Sequence, residues 1–299
     1  MIRKRNVFVC GLVIMLTCLT AIGQTKKQAW VDSVFQTLSE NEKIGQLISV
    51  RISSHVSERV VDDLERMLDA RMFGGVVFTS GTPGKQRAIT NRLQRSAQLP
   101  LLVSQDASSG LGQLLDSTLT FPFPLAQAAI ADDSMVYHIA FSIGKQLKAL
   151  GVHMSLGPNA AIAKGETIDV NNLYGDDPTS VAKKSLLHMK GLQDAGVLSC
   201  AKFFPLRGVE VIDPKGKTVI TLHHDSTQAQ TFRDLMEQGV NALMPNVTDL
   251  PPFFEPKRSE LKKKLADTTF EQFDNGELLH RAMGFNGIVM VDLQTMEHS

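Results

Sequence analysis

The sequence predicts an α/β fold: a TIM-type (β/α)8 barrel of parallel strands and helices, expected to be incomplete at its C-terminus. Short apolar runs alternate with amphipathic segments along most of the 299 residues. Apolar runs of this kind, buried on both faces, form parallel strands joined by crossover helices. Polar residues follow several different strands, which is typical of a barrel whose site is a ring of loops.

The elements of the first half follow from local signals. A helix begins at Ser39, because Glu42 completes a capping box with it. Gly74 and Gly75 end a later helix and precede a strand. The predicted helices of this half cover 30–38, 56–68, 87–97 and 134–150, and the predicted strands cover 76–79, 100–104 and 152–156.

The second half continues the alternation. Its predicted helices cover 178–195, 227–238, 261–265 and 278–283, and its strands cover 196–202, 241–244 and 284–292. The last strand delivers a carboxylate, Asp292, to its C-terminal end. Four polar residues end or follow strands in this pattern: Asp106, Lys202, Asn246 and Asp292. An open doubly wound sheet is the alternative, but no G-x-G-x-x-G motif opens a helix after the first strand.

Composition restricts the function classes. The chain is 43% hydrophobic and 21% charged, as in ordinary globular proteins. Its 31 basic and 31 acidic residues balance, so we expect no nucleic-acid partner. We also expect no cofactor and no bound metal.

The first residues have the features of a secretory signal peptide. Arg3 to Arg5 form a positive region, an apolar run covers 7–19, and small residues precede a cleavage point after Gly23. We therefore expect residues 1–23 to be a signal peptide, 24–299 to be the barrel domain, and the protein to be periplasmic or secreted. An uncleaved anchor is the alternative, and a lipoprotein is disfavoured because Thr17 precedes Cys18.

Cleavage would change both the charge and the cysteine content. Loss of three basic residues from a balanced 31 and 31 leaves a net charge of about −3. Cys200 would be the one remaining cysteine, so an internal disulfide is excluded. Its apolar neighbours predict a buried small side chain.

Several segments together resemble the N-terminal domain of glycoside hydrolase family 3, in its bacterial β-N-acetylglucosaminidase branch. They occur in family order between residues 30 and 292. The segments are 39–47, 105–106 with 110–112, 121–122, 150–153, 174–178, 201–205 and 284–292.

The resemblance implies a retaining mechanism acting on carbohydrate, namely β-linked amino sugars. It implies that Asp292 is the nucleophile and that Asp106 and Lys202 bind sugar hydroxyls. Asn172 stands where the family has a sugar-binding arginine and remains a candidate substrate contact. A turn or helix-cap role for Asp106, and a solvated strand end for Lys202, are the structural alternatives.

The chain departs from the family pattern after Lys202. The family's acid/base histidine falls on Arg207 and its aspartate partner on Val209. Arginine stays protonated with a pKa above about 12, and valine cannot orient a neighbour by hydrogen bonding. The resemblance therefore implies an impaired or inactive enzyme. The alternative is an active exo-glycosidase that uses Glu210 as a substitute acid.

Other departures reduce the expected set of binding groups. The first histidine of the family motif, a substrate contact, falls on Phe203, and an expected aspartate falls on Ala161. The run His223-His224-Asp225 is a second candidate source of protons, and we interpret it as a polar loop rather than a metal site.

The C-terminus is the last departure. In the resembled family the chain continues past the nucleophile loop, whereas here Ser299 follows Asp292 closely. An unclosed barrel exposes strand edges. We therefore expect a second polypeptide or a missing C-terminal segment to complete the barrel; a fold that closes differently is the alternative.

Overall fold

The computed structural model describes residues 28–163, 170–204, 207–212, 218–223, 226–245 and 284–292. The strands are β1 (Ser49–Ser53), β2 (Gly75–Ser80), β3 (Leu102–Gln105), β4 (Met154–Ser155), β5 (Leu198–Phe204), β6 (Arg207–Ile212), β7 (Thr218–His223), β8 (Ala242–Pro245) and β9 (Ile288–Val289). Seven of them form a parallel sheet in the order β1-β2-β3-β4-β5-β8-β9. The other two, β6 and β7, pair antiparallel with each other.

Helices connect most of the neighbouring strands. They are α1 (residues 28–37), α2 (Glu40–Gln46), α3 (Glu58–Asp69), α4 (Pro83–Ser96), α5 (Pro124–Ala128), α6 (Ser134–Ala149), α7 (Pro178–Asp194) and α8 (Ser226–Glu237). The predicted capping box is present at α2, where Ser39 and Glu42 bond each other's backbone N–H groups. Among the helices in the described ranges, none is both long enough and apolar enough to cross a membrane.

Alternate residues of the same strands pack on opposite faces of the sheet. Val76 and Phe78 belong to a large cluster with the helices, while Val77 belongs to a separate one. That second cluster contains Val77, Met154, Leu156, Cys200, Ala242 and Met244. A sheet with both faces covered by apolar side chains is expected when it curls into a barrel whose interior is packed. Cys200 is a buried free thiol, as predicted.

The two ends of the sheet approach each other. Arg51 lies on β1 and Asp292 follows β9, which are the first and last strands in the sheet order. The guanidinium Nη1 of Arg51 lies 2.6 Å from Asp292 Oδ2. A side-chain bond can join the outermost strands of a seven-stranded sheet only if the sheet curls. The α/β barrel prediction is therefore confirmed, as a barrel whose described strands do not close completely.

All six predicted strands are present, but the short helix α5 and three other strands were missed. One is β1, in which Ser49, Arg51 and Ser53 alternate with Val50 and Ile52. This strand lies at the edge of the described sheet, so it does not need the continuous apolar run by which the other strands were recognised. The others are β6 and β7, which pair with each other apart from the parallel sheet. The predicted helices over 261–265 and 278–283, and Asn246, lie outside the described residues.

Candidate active site

Three predicted site residues lie at the same edge of the sheet. Asp106 directly follows β3, Lys202 lies in the last half of β5, and Asp292 follows β9. These strands run parallel, so their carboxyl ends share one rim of the barrel. In barrel enzymes this rim carries the active site. The fold thus brings residues from distant parts of the sequence to one face.

Lys202 and Asp106 form an ion pair across the end of β4. Lys202 Nζ donates to Asp106 Oδ2 over 2.5 Å. The lysine side chain is 11% exposed and the carboxylate side chain 46% exposed. A solvated strand-end role for Lys202 is therefore wrong, because the ammonium is largely enclosed and has an anionic partner. The partly exposed carboxylate remains accessible from the rim.

Asp106 also shapes the turn that follows β3. Its Oδ1 accepts from the Ser108 backbone N–H at 3.4 Å and from the Ser108 hydroxyl at 3.1 Å. The turn role and the ion pair coexist because the two carboxylate oxygens have separate partners. This arrangement fixes the carboxylate plane before any ligand binds.

The end of β5 is irregular at Phe203. Pairing with β8 shifts register between Lys202 and Phe204, and Phe203 has a φ of 73°. A left-handed backbone at an aromatic residue costs about 1–3 kcal/mol and is found mostly at functional sites. A bulge of this kind redirects the neighbouring side chains. The Lys202 ammonium lies 5.7 Å from the centroid of the Phe203 ring.

Asp292 is bound to a residue that the sequence interpretation missed. Arg51 Nη1 donates to its Oδ2, and the two side chains are 44% and 28% exposed, in that order. A lone arginine among the small and aliphatic residues of β1 was the available signal. The contact fixes one carboxylate oxygen of the predicted nucleophile and supplies a positive charge beside it.

A buried polar layer lies next to the ion pair. On α7, His188 Nδ1 lies 2.8 Å from the hydroxyl of Tyr174, and both side chains are buried. Burial lowers the pKa of His188 to about 4; of the smaller effects, the nearby Asp106 carboxylate raises it and the Lys202 ammonium lowers it. Burial also raises the pKa of Tyr174. Both groups are therefore neutral at pH 7.

Three further predicted site residues lie on the separate β6–β7 pair. Arg207, Val209 and Glu210 lie on β6, where they pair with His223, Thr221 and Ile220 of β7, and their side chains lie outside the described part. His224 and Asp225 lie outside it as well.

Two further positions of the family pattern lie in the described part of the chain. Asn172 ends a short 3-10 turn, Val170–Asn172, and is half-buried. Ala161, which stands where an aspartate was expected, is buried. Within the described ranges, no three His, Cys, Asp or Glu side chains are grouped so that they could hold a metal ion.

Comparison with known proteins gives relatives of one kind. The family model for the glycosyl hydrolase family 3 N terminal domain matches residues 39–299. A β-N-acetylglucosaminidase/β-glucosidase from Cellulomonas fimi is 27% identical over 276 residues, which is 90% of this chain and 48% of that protein. A β-hexosaminidase from Methylobacillus flagellatus is 24% identical over 81% of this chain and 70% of its own length.

Solved structures share the fold. The β-glucoside phosphorylase BglX bound to 2FGlc superposes with a TM-score of 0.68 at 23% identity, over 89% of this chain and 49% of that one. A family 3 β-N-acetylglucosaminidase from Paenibacillus gives 0.65 at 23% identity, over 85% and 49%. The chain spans about half the length of the Cellulomonas relative and of these two structures. Because the family model matches residues 39–299, the chain belongs to glycosyl hydrolase family 3 and contains its N-terminal domain.

Proposed function

We propose that this chain is a family 3 domain for terminal β-linked N-acetylhexosamines that keeps its sugar-binding groups and its nucleophile but has lost efficient proton transfer. The observation that carries the proposal is the pre-formed Lys202–Asp106 pair at the carboxyl rim of the barrel. The relatives named β-hexosaminidase support the choice of sugar class.

The ion pair suits the binding of a sugar ring. A carboxylate accepts hydrogen bonds from adjacent hydroxyl groups, and an ammonium donates to a hydroxyl oxygen. The Asp106 carboxylate accepts three hydrogen bonds, from Lys202 Nζ, the Ser108 N–H and the Ser108 hydroxyl. Binding a sugar therefore needs little reorganisation of the carboxylate, which is favourable for affinity.

Asp292 is proposed as the nucleophile, and it needs a separate acid. In a retaining glycosidase the carboxylate attacks the anomeric carbon while an acid protonates the departing oxygen. Arg207 stands at the family position of that acid, and an arginine does not release its proton near neutral pH. General acid–base catalysis contributes about 10²- to 10⁴-fold to rate, and we propose that this chain lacks most of it.

The competing proposal is an active enzyme in which Glu210 replaces the missing acid. Glu210 is a carboxylic acid on β6, the strand that follows β5 and its Lys202 directly in the chain. A carboxylic acid whose pKa is raised by its surroundings can serve as the proton donor of a glycosidase. The two proposals differ in which substitution removes activity.

The experiment compares two substrates with different leaving groups. A 4-nitrophenyl N-acetyl-β-glucosaminide releases an anion without much help, whereas an N-acetylglucosamine disaccharide needs a proton on the departing oxygen. We expect Asp292-dependent cleavage of the first and almost none of the second. Arg207→His with Val209→Asp should raise disaccharide turnover by about 10²-fold or more, and Glu210→Gln should change neither rate.

Other results would decide against the proposal. If Glu210→Gln removes activity on the disaccharide, the substitute-acid alternative holds. If the activated substrate is not cleaved, or is cleaved equally well after Asp292→Asn, the assignment of the nucleophile fails.

We also propose export to the periplasm or medium after cleavage at Gly23, supported by the charge and apolar pattern of residues 1–23. The test is the N-terminal mass of the exported protein expressed from the full sequence. A mature chain that begins at Gln24 supports the proposal. A chain that retains residues 1–23, or that stays with the cytoplasmic fraction, contradicts it.

A final proposal concerns the outer edges of β1 and β9. In the described part, each of these strands has one neighbour in the sheet, and Arg51–Asp292 bridges the space between them. We propose that a further strand, from a second polypeptide or from a longer form of the chain, pairs here. Addition of that strand should slow amide exchange in both β1 and β9, and unchanged exchange would contradict the proposal.

A further inference from the structure

Three polar atoms converge in front of Gly157, which follows β4. A point at the position that a Gly157 side chain would occupy lies 3.1 Å from Ser108 Oγ and 3.8 Å from both His188 Nε2 and Ser155 Oγ. All three side chains are buried. Ser155 Oγ and His188 Nε2 are also among the buried atoms of the described residues that have no protein hydrogen-bond partner. A buried polar atom that is left unpaired costs about 1–3 kcal/mol, so two at one place indicate a shared partner.

The direction of the known hydrogen bonds leaves His188 Nε2 as a donor. The Tyr174 hydroxyl lies 2.8 Å from His188 Nδ1 and has no other acceptor for its proton among the described contacts, so it donates to that nitrogen. A neutral imidazole carries its single proton on the other nitrogen when Nδ1 accepts. The proton is therefore on Nε2. The Nε2–H group lies near the space in front of Gly157 and needs an oxygen atom that accepts its hydrogen bond.

We propose that a buried water molecule in front of Gly157 accepts from His188 Nε2 and bridges it to Ser108 and Ser155, which makes His188 a positioning residue for Asp106. A water held by two to four polar groups is a regular part of protein interiors. The Ser108 hydroxyl donates to Asp106 Oδ1, so its oxygen can accept from the water. The relay runs from Tyr174 through His188 and the water to the carboxylate.

The relay has one consequence for the site, and this part rests on the proposed sugar-binding function. Each hydrogen bond of the relay is donated in the direction of Asp106 Oδ1. The Lys202 ammonium donates to the other carboxylate oxygen, Oδ2. Hydrogen bonds in such a series polarise one another. Without the water, the Ser108 hydroxyl loses the donor that polarises it, and its hydrogen bond to Asp106 Oδ1 becomes weaker.

The test uses paired substitutions of His188. Glutamine keeps an N–H near the Nε2 position, whereas methionine has a similar volume and no donor. Binding of N-acetylglucosamine by the full protein should be weaker in His188→Met, on the order of fivefold to tenfold, and near the unaltered value in His188→Gln. Equal affinity of His188→Met and the unaltered protein, or equal weakening in both variants, would overturn the proposal.

A second measurement does not depend on sugar binding. In the ¹⁵N-labelled protein, the His188 ring should show a protonated Nε2 that exchanges slowly with solvent. Gly157→Ala puts a methyl group against the proposed water, too close for both to remain, and should shift that signal, whereas Gly84→Ala, with no atoms within 4 Å of the new methyl, should not. A proton on Nδ1, or a signal that Gly157→Ala leaves unchanged, contradicts the water site. If the unaltered protein binds no N-acetylglucosamine, the proposed function fails while these signals still decide the relay.

Discussion

Lys202 Nζ and Asp106 Oδ2 lie 2.5 Å apart although 96 residues separate them in the chain. The lysine side chain is 11% exposed and the aspartate side chain 46% exposed. The two partners therefore differ in how well water can replace the lost contact. This difference leads to a prediction about stability that is independent of any enzymatic activity.

Asp106→Asn should destabilise the fold more than Lys202→Met. The first change leaves a largely enclosed ammonium without an anion, which we expect to cost about 2–3 kcal/mol. The second leaves a carboxylate that water can reach, and we expect about 1 kcal/mol or less. Urea unfolding of both variants measures this. A larger loss for Lys202→Met would show that packing of the lysine stem, rather than its charge, dominates.

Asp292→Asn should leave stability almost unchanged while removing the proposed glycosidase activity. Both side chains of the Arg51–Asp292 pair are partly exposed to solvent, so the pair contributes about 1 kcal/mol or less. Thermal unfolding and cleavage of 4-nitrophenyl N-acetyl-β-glucosaminide check the two halves of this prediction. Arg51→Met is the matched control: it breaks the same contact, keeps the carboxylate, and should retain part of the activity. Complete loss in Arg51→Met would mean that the arginine itself contacts the substrate.

His188 should make stability rise with pH between about 4 and 6.5. Its pKa in the folded protein is lowered to about 4 by burial, so in this range the unfolded chain binds a proton that the folded chain does not. The stabilisation is fully present above the unfolded pKa and is lost as pH falls, by a total of about 3 kcal/mol. Urea unfolding of the protein and of His188→Gln at several pH values isolates this residue from the carboxylates. Parallel curves for the two proteins would contradict the prediction.

Cys200 should be unreactive in the folded protein. Burial raises the pKa of its thiol to about 12, and the side chain lies in the apolar cluster on the inner face of the sheet. Only the thiolate reacts, so a disulfide reagent at pH 8 should label the thiol only when the fold opens. In a protein with Cys10→Ser and Cys18→Ser, we expect no labelling under native conditions and labelling of the one remaining thiol in urea. Rapid native labelling would place Cys200 outside the core.

Much of the fold could be predicted because the signals are local. The capping box at Ser39 and the apolar strands β2 to β5, β8 and β9 depend on neighbouring residues, and the structure confirms them. The edge strand β1 was missed because its polar residues interrupt the pattern. The β6–β7 pair was missed because its segment was interpreted by family position alone.

The candidate site also has a part that the sequence predicted and a part that only the structure revealed. The order of strands and the polar residues at their ends can be obtained from the sequence alone, and they correctly indicated Asp106, Lys202 and Asp292 as residues of one rim. The contact of Arg51 with Asp292, across 241 residues, and the buried pair of His188 and Tyr174 near Asp106 were not foreseen. Periodicity and capping are short-range properties of the chain, so sequence determines them. Which charges meet is decided by how far the sheet curls and how deeply each helix packs, and that depends on the whole tertiary structure.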